Sequence, residues 1–487
     1  MKKLIIFSVL IASISLSQCQ DNRSPNVLWI YVDDMSDWLG CYGDNTIATP
    51  NIDMLAELGV KFNRAYMPAP VCSATRSALI TGTMQTTFAL QDHRTMIKKP
   101  LPEGVITIPE LFRKAGYITF NEEKTDYNFS YDYNDLFSPE FERPARSAMK
   151  GHLVGHDLSW LEQLKGKKFF GQIQLIGGKY QGEAGSKYPA PSRVDESEVT
   201  VPPQYPDNSV FRNAIARHYE QIAFCDSQVG AIIKALKEYD LWENTAVFFF
   251  TDHGCQLPRA KQHLYEEGLK VPLIVHWPDN NEYLLNAGNE RNDIVSGIDI
   301  TTSSLAIAGI DIPDFMEGKD LFVKNYKERD FVVSAKDRQG NAIDHVRAIR
   351  TDNYIYIRNY MTDRPLYQPA YRDSYATFVN LRKLYAEGAL TPLQESFFEA
   401  SERPDEELYS LREDPHQINN LADKNGYEKV LKNYRQVLTK WEMITDDKGR
   451  YPHSIEELRK VYESAPERCV NPEYYIFREE SGSSLSF

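Results

Sequence analysis

The sequence predicts an α/β fold, and three observations carry that prediction. An apolar, β-rich run ends abruptly in two aspartates near the start of the chain; a well-punctuated helical segment follows it; and further apolar strands recur downstream, separated by a long helical stretch. Alternation of this kind is the pattern of strands and helices packed in layers rather than of an all-helical or all-β chain.

The first element, "NVLWIYVDD" (Asn26 to Asp34), is apolar without alternation, as expected of a strand buried on both faces. "TPNIDMLAELG" supplies a helix with Thr49 as N-cap, Pro50 in the first turn and Gly59 as the stop. "VCSATRSALITG" reads as a second helix that begins at Cys72 and closes at Gly82. The helical "AIARHYEQIAFCDSQVGAIIKALKEYDL" leads into a second strand, "TAVFFFTDHG", and "VPLIVHWP" is a third. Around residue 345 the texture changes. "VRAIRTDNYIYIRNY" alternates apolar and charged residues about a turn at Asp352 and Asn353, which predicts an antiparallel hairpin. "ELYSLREDPHQINNLA" and the helical "YEKVLKNYRQVLTKWEMIT" complete a small C-terminal α+β subdomain, and the charged "EELRKVYESAPER" reads as a solvated helix face. The organisation expected is a leader over residues 1–19, a main domain over 24–340 and a subdomain over 341–487.

With 487 residues and a net charge of −14 the chain lacks the basic footprint that nonspecific nucleic-acid binding requires. A local cluster of Lys and Arg can still hold a small anion. The opening "MKKLIIFSVLIASISLSQCQ" has the charged and apolar regions of a secretory signal, and Cys19 stands where a bacterial lipobox places its lipidated cysteine. The expectation is an exported protein, periplasmic or an outer-membrane lipoprotein anchored through Cys19. No later apolar run is long enough to span a bilayer. Six cysteines without close pairs do not form a disulfide scaffold.

Chemistry gathers at strand ends. Asp33-Asp34 and Asp252-His253 each terminate an apolar strand, and ligands of open α/β sheets collect at such carboxyl ends. Three carboxylates converging there repel one another unless a cation sits between them. Oxygen-rich donors favour calcium or magnesium, with His253 as the nitrogen member. The competing reading is that each pair caps its own loop. Cys72 lies at a helix N-terminus with Arg76 one turn on, a setting that favours an anion and makes a thiol acidic. Its alternative is a small buried hydrophobe.

"CSATR" followed by "SALITG" resembles the sulfatase signature C-x-P/A-x-R, whose cysteine is oxidised to formylglycine. The resemblance continues through "ATPNIDMLAELGVKF", "KAGYIT", "FFFTDHG", "AKQHLYEEGLKVPLIVHWP" and the hairpin, and "AIATPNIDMLA" with "LTKWEMITDD" is most similar to the heparan N-sulfatase branch and its bacterial relatives. It implies an alkaline-phosphatase-like mixed sheet flanked by helices, and a calcium-dependent hydrolase acting on a sulfate ester of a sulfated saccharide. It further implies that Cys72, as the formylglycine hydrate, attacks sulfur, while Asp33, Asp34, Asp252 and His253 hold Ca²⁺ against that hydrate and the sulfate. Deprotonation of the second hydroxyl would then expel sulfate by C–O cleavage. Arg76 would orient the hydrate, and Lys124 and Lys261 would neutralise the sulfate. Three departures stand out. Ala74 replaces the usual proline, which resembles substrates of anaerobic radical maturases. Asp126 stands where a family histidine falls. The histidine expected after the strand of "KKFFGQIQLIGGKYQG" is missing, leaving Lys179, Lys261 or His263 as the leaving-group acid. His93 and Arg94 fall where relatives touch the sugar, so His93, Lys179 and His263 are the candidate substrate contacts. The rival readings are a sulfamidase, a phosphate or phosphonate monoester hydrolase on the same fold, and a glycan-binding lipoprotein without catalysis.

Overall fold

A computed structural model describes residues 24–122, 124–141, 158–179, 190–277 and 289–481. The leader and Cys19 lie outside the described residues. Among those described, no helix is long and apolar enough to cross a membrane.

The main sheet has eight strands: β1 (Asn26–Val32), β2 (Val60–Tyr66), β3 (Ile118–Glu122), β4 (Phe169–Leu175), β5 (Thr245–Thr251), β6 (Lys270–His276), β7 (Asn289–Arg291) and β8 (Val295–Ser296). Their order is β3-β4-β1-β5-β6-β2-β7, with β8 also pairing β2. β1 runs parallel to both β4 and β5, whereas β6 is antiparallel to β5 and β2, so the sheet is mixed.

The unbroken apolar run of β1 is explained by burial on both faces. Leu28, Ile30 and Val32 join one core layer, which includes Ile222, Val229 and Leu236 of the long helix Ser209–Glu238. Val27, Trp29 and Tyr31 point the other way, into a layer with Leu79, Ile80, Ile300 and Leu305. A period of two therefore divides one hydrophobic string between two cores.

The helix α1 (Pro50–Leu58) has the predicted limits, with Thr49 at its N-cap position and Gly59 at its C-cap. Its cap chemistry differs from expectation. The Thr49 hydroxyl donates to Asp53 Oδ1 (3.0 Å), and Asp53 also accepts from the Cys41 backbone N–H (2.7 Å). The helix α2 (Cys72–Thr81) ends at Gly82, whose φ of 69° suits a residue without a Cβ.

A second, four-stranded antiparallel sheet contains β9 (Val332–Lys336), β10 (Val346–Arg350), β11 (Tyr354–Asn359) and β12 (Glu406–Ser410), in the order β12-β11-β10-β9. The β10–β11 pair is the expected hairpin, with Arg350 opposite Ile355. Val333, Ile349 and Tyr356 pack with Ala78 of α2 and with Leu431, Tyr434 and Leu438 of the helix Glu428–Thr445. Each buried Val, Ile or Leu of this cluster contributes about 1.5–3 kcal/mol, so the second sheet buttresses the helix that carries Cys72.

The helix Ile455–Ser464 is not a purely solvated face. Glu457 is buried, accepts from the backbone N–H groups of Met96 and Ile97 (2.8 Å each), and pairs with Arg338 (2.7 Å). Its charge fixes the helix onto the 92–97 loop. Cys41, Cys72, Cys225, Cys255 and Cys469 are all free thiols.

Candidate active site

The parallel register of β1, β4 and β5 places Val32 beside Leu175 and Thr251, so the residues after these strands emerge together. Asp33 donates its backbone N–H to the Leu175 carbonyl (3.0 Å), and Asp252 donates its own to Val32 (2.9 Å). The backbone N–H of Asp34 donates to Asp252 Oδ1 (3.0 Å). The Asp33-Asp34 and Asp252-His253 pairs, separated by more than 200 residues, thus become neighbours through sheet pairing. Gly254 permits this closure. A Cβ there would lie 1.7 Å from the Glu267 carbonyl oxygen.

Asp34, Cys72, Asp252 and His253 offer ligand atoms that all lie within 4.8 Å of one another, and all four residues are buried. His253 Nε2 is 2.9 Å from Asp34 Oδ1 and 3.3 Å from Cys72 Sγ. Its Nδ1 lies 2.9 Å from the Gly254 carbonyl oxygen, a geometry that assigns the proton to Nδ1 and turns Nε2 inward. Asp33 is not in this group of four. Its carboxylate accepts from Arg76, Lys124 (2.8 Å) and Lys179.

Arg76 crosses beneath the cluster. Its Nε and Nη2 donate to Asp252 Oδ2 (3.3 and 3.2 Å), Nη1 donates to Gln174 Oε1 (2.6 Å), and the guanidinium stacks on Tyr31 with 4.2 Å to the ring centroid. Lys261 donates to Asp34 Oδ1 (2.6 Å) and stands 3.6 Å from Cys72 Sγ. Gln256 completes Asp34 with a bond to Oδ2 (2.8 Å).

The electrostatics follow from this crowding. Burial opposes ionisation of the Cys72 thiol, but Lys124 and Lys261 outweigh it and hold the thiol well below its ordinary value. Burial also opposes ionisation at Asp34, where Lys261, Lys179 and His253 prevail and the carboxyl stays well below the usual range. At Asp252 burial and the neighbouring Asp33 push the carboxyl well up. Burial disfavours the His253 cation, yet Asp252 and the Cys72 thiolate push it up to about 10. A proton and three ammonium groups thus supply positive charge to a set of buried carboxylates. The donor set of carboxylate oxygens and one imidazole suits a hard divalent cation.

Other predicted contacts fall differently. Lys179 is at the cluster through Asp33, and Asp126 pairs with Arg94 (3.1 Å) and lies 3.8 Å from Lys124. His93 is buried, with its ring 5.4 Å from that of Tyr371. His263 does not join the cluster. Gln262, between Lys261 and His263, adopts a left-handed backbone with φ of 73°, fixed by its N–H donating to the Pro70 carbonyl (2.8 Å). Lys261 consequently faces Cys72 while the His263 ring packs on Tyr367 at 5.9 Å. Sequence reasoning also missed Gln174, Gln256 and Arg372. The polar Gln172 and Gln174 within an otherwise apolar buried strand were a signal for Gln174; Arg372, which donates to the Lys261 carbonyl (2.8 Å), left none.

A mixed α/β sheet flanked by helices, with carboxylates, a cysteine and four cations at its strand ends, defines an alkaline-phosphatase-like hydrolase. The Sulfatase family profile matches residues 25–310, and the N-sulphoglucosamine sulphohydrolase C-terminal profile matches residues 259–396. The chain belongs to the sulfatase family. It is 30% identical over 470 residues to an ulvan-active sulfatase of Formosa agariphila, an alignment covering 90% of this chain and 78% of that one. It is 24% identical to human N-sulphoglucosamine sulphohydrolase, over 87% of this chain and 91% of that one. The solved phosphonate monoester hydrolase of Agrobacterium radiobacter shares the fold with a TM-score of 0.61 at 18% identity, covering 86% of this chain and 96% of that one.

Proposed function

We propose that this sulfatase removes a sulfate ester from a sulfated saccharide, with Cys72 matured to formylglycine and a calcium ion held by Asp34, Asp252, His253 and the matured residue, with Asp33 beside them. The observation that carries the reading is the meeting of Cys72 with Asp34, Asp252 and His253 inside a ring of four cations. The Sγ atom marks where an oxygen of the formylglycine hydrate would stand, and that oxygen turns the donor set into one that calcium prefers. The bound ion would polarise the sulfate and acidify the hydrate beside it.

The chain's own residues account for the remaining demands. Charge on the sulfate oxygens is met by preorganised cations, with Lys124 and Lys261 donating to it and Arg76 holding Asp33 and Asp252 in place. Lys179 is the more exposed of the two lysines suggested as acid, with 18% of its side chain accessible against 5% for Lys261. We assign it proton donation to the leaving sugar oxygen, while His263, turned away, takes no part in the chemistry. The buried His93 and Tyr371 beside it form part of the wall that meets the saccharide.

We take ulvan oligosaccharides as the first substrates to test, because the Formosa relative is an ulvan-active sulfatase, and N-sulfated glucosamine as the second, because of the match to the N-sulphoglucosamine sulphohydrolase C-terminal profile. Export and anchoring through Cys19, and maturation by a radical maturase, belong to the same proposal. The test is release of free sulfate from defined sulfated saccharides by protein matured in an anaerobic host, with aryl phosphate as the control for the phosphohydrolase reading. Cys72→Ala is expected to abolish release while keeping the thermal unfolding profile. Turnover that survives this change refutes the proposal, and mass spectrometry of the Cys72 peptide reports the aldehyde directly.

A further inference from the structure

Behind Lys261 lies a small cavity, of about 20 Å³, formed where the 259–263 turn meets the segment between β11 and β12. That volume suits a single water-sized or monatomic occupant. Gln262 Nε2, His263 Nδ1, Tyr367 Oη and Gln339 Oε1 have no hydrogen-bond partner among the described residues, although all four residues line this cavity and are more than nine-tenths buried. Buried polar atoms are almost always paired, so four orphans around one small space point to an occupant.

The charge of the wall says what kind. Among the described residues Arg372, 1% exposed, donates only to neutral oxygens: Gln262 Oε1 (2.8 Å) and the carbonyls of Lys261 (2.8 Å), Gln256 (3.1 Å) and Leu257 (3.4 Å). Lys336 pairs with Asp344 (2.8 Å), but that carboxylate is shared with Arg403 (3.0 Å), leaving two cations on one anion. No carboxylate lines the cavity. A buried guanidinium without a counter-charge is strongly unfavourable. Burial, reinforced by Lys336 and Arg372, keeps His263 well below its ordinary value, so the ring is neutral and adds no charge.

We propose that this cavity is a halide site, occupied by chloride in solution. Gln262 Nε2, the Tyr367 hydroxyl and the His263 ring N–H donate to the ion, and Arg372 and Lys336 supply the balancing charge. Rotating the Gln339 amide presents a fourth donor; it gives up the 3.5 Å bond from Nε2 to the Asp337 carbonyl and turns Oε1 toward that oxygen. Because Arg372 grips both Gln262 and the Lys261 carbonyl, the ion stiffens the turn that aims Lys261 at Cys72. The site stands on this cavity alone and does not depend on the substrate reading.

Crystals of the whole chain grown in sodium bromide are expected to give an anomalous difference peak between Gln262, Tyr367 and Arg372. A cavity without anomalous signal overturns the site. In solution, at fixed ionic strength and calcium, replacing chloride by gluconate is expected to lower the unfolding midpoint of the wild type and to leave that of Tyr367→Phe nearly unmoved. Equal midpoints for the wild type in both salts overturn the stiffening role.

Discussion

Arg76→Ala tests the electrostatic logic of the site through stability rather than turnover. The guanidinium is 1% exposed, and it is joined to Asp33, Asp252 and Gln174. Its removal strands buried carboxylates, a change that typically costs about 3–5 kcal/mol. Two features hold the cost near the lower end. Asp33 keeps Lys124 and Lys179, and Asp252, already pushed up by burial and Asp33, takes a proton. For 487 residues the unfolding entropy is about 1 kcal/mol per kelvin, so a loss of about 3 kcal/mol lowers the midpoint by about 3 °C. A divalent cation among the same carboxylates replaces much of the lost charge, so saturating calcium should shrink the difference between variant and wild type. At a hundredfold excess over its dissociation constant, calcium should also stabilise the wild type by about 2.7 kcal/mol. The assay is calorimetry of both proteins in EDTA and in calcium. An unchanged midpoint for the variant in EDTA, or a deficit that calcium does not reduce, refutes the reasoning.

Lys179→Ala should cut turnover of a sulfated sugar by about 10²-fold or more while sparing an aryl sulfate, whose phenolate leaves without a proton; equal losses on both would remove Lys179 from the acid role. Gly254→Ala drives a Cβ into the Glu267 carbonyl at 1.7 Å, so chemical denaturation should show a loss of about 3 kcal/mol or more together with weakened calcium binding. The His453–Asp92 contact (3.0 Å) gives a pH signature. Burial disfavours the His453 cation, and Asp92 overcomes it, so the pKa is raised; the stabilisation is complete below the ordinary value of 6.5 and fades as the pH rises through the raised value. His453→Gln should flatten that decline in a pH series of unfolding midpoints, and a curve parallel to the wild type would count against the pair.

The parts of the site legible in the sequence are those fixed by strand ends and local helix chemistry. Asp33, Asp34, Asp252 and His253 could be found because apolar runs stop abruptly at them, and parallel register then brings their ends together. Cys72 and Arg76 share one helical turn, so their spacing alone makes them neighbours. The limits of α1 were likewise written in Pro50 and Gly59, but its capping hydrogen bond was not, because Asp53 competes for the Thr49 hydroxyl across one turn. Glu457 looked like any surface acid until tertiary packing set two backbone N–H groups and Arg338 against it.

Lys261 and His263 show where linear reading stops. Two residues apart and both basic, they looked interchangeable as candidates for one proton-transfer role. A strand would put residues i and i+2 on the same face, and a helix would separate them by about 200°. Neither rule applies, because Gln262 is left-handed, at φ of 73°, and the Pro70 carbonyl just ahead of Cys72 fixes it there. The same loop that presents Cys72 therefore sends Lys261 to the cluster and His263 to the cavity behind it. The backbone of the Cys72 loop, rather than the identity of either side chain, decides which of the two basic residues reaches the cluster.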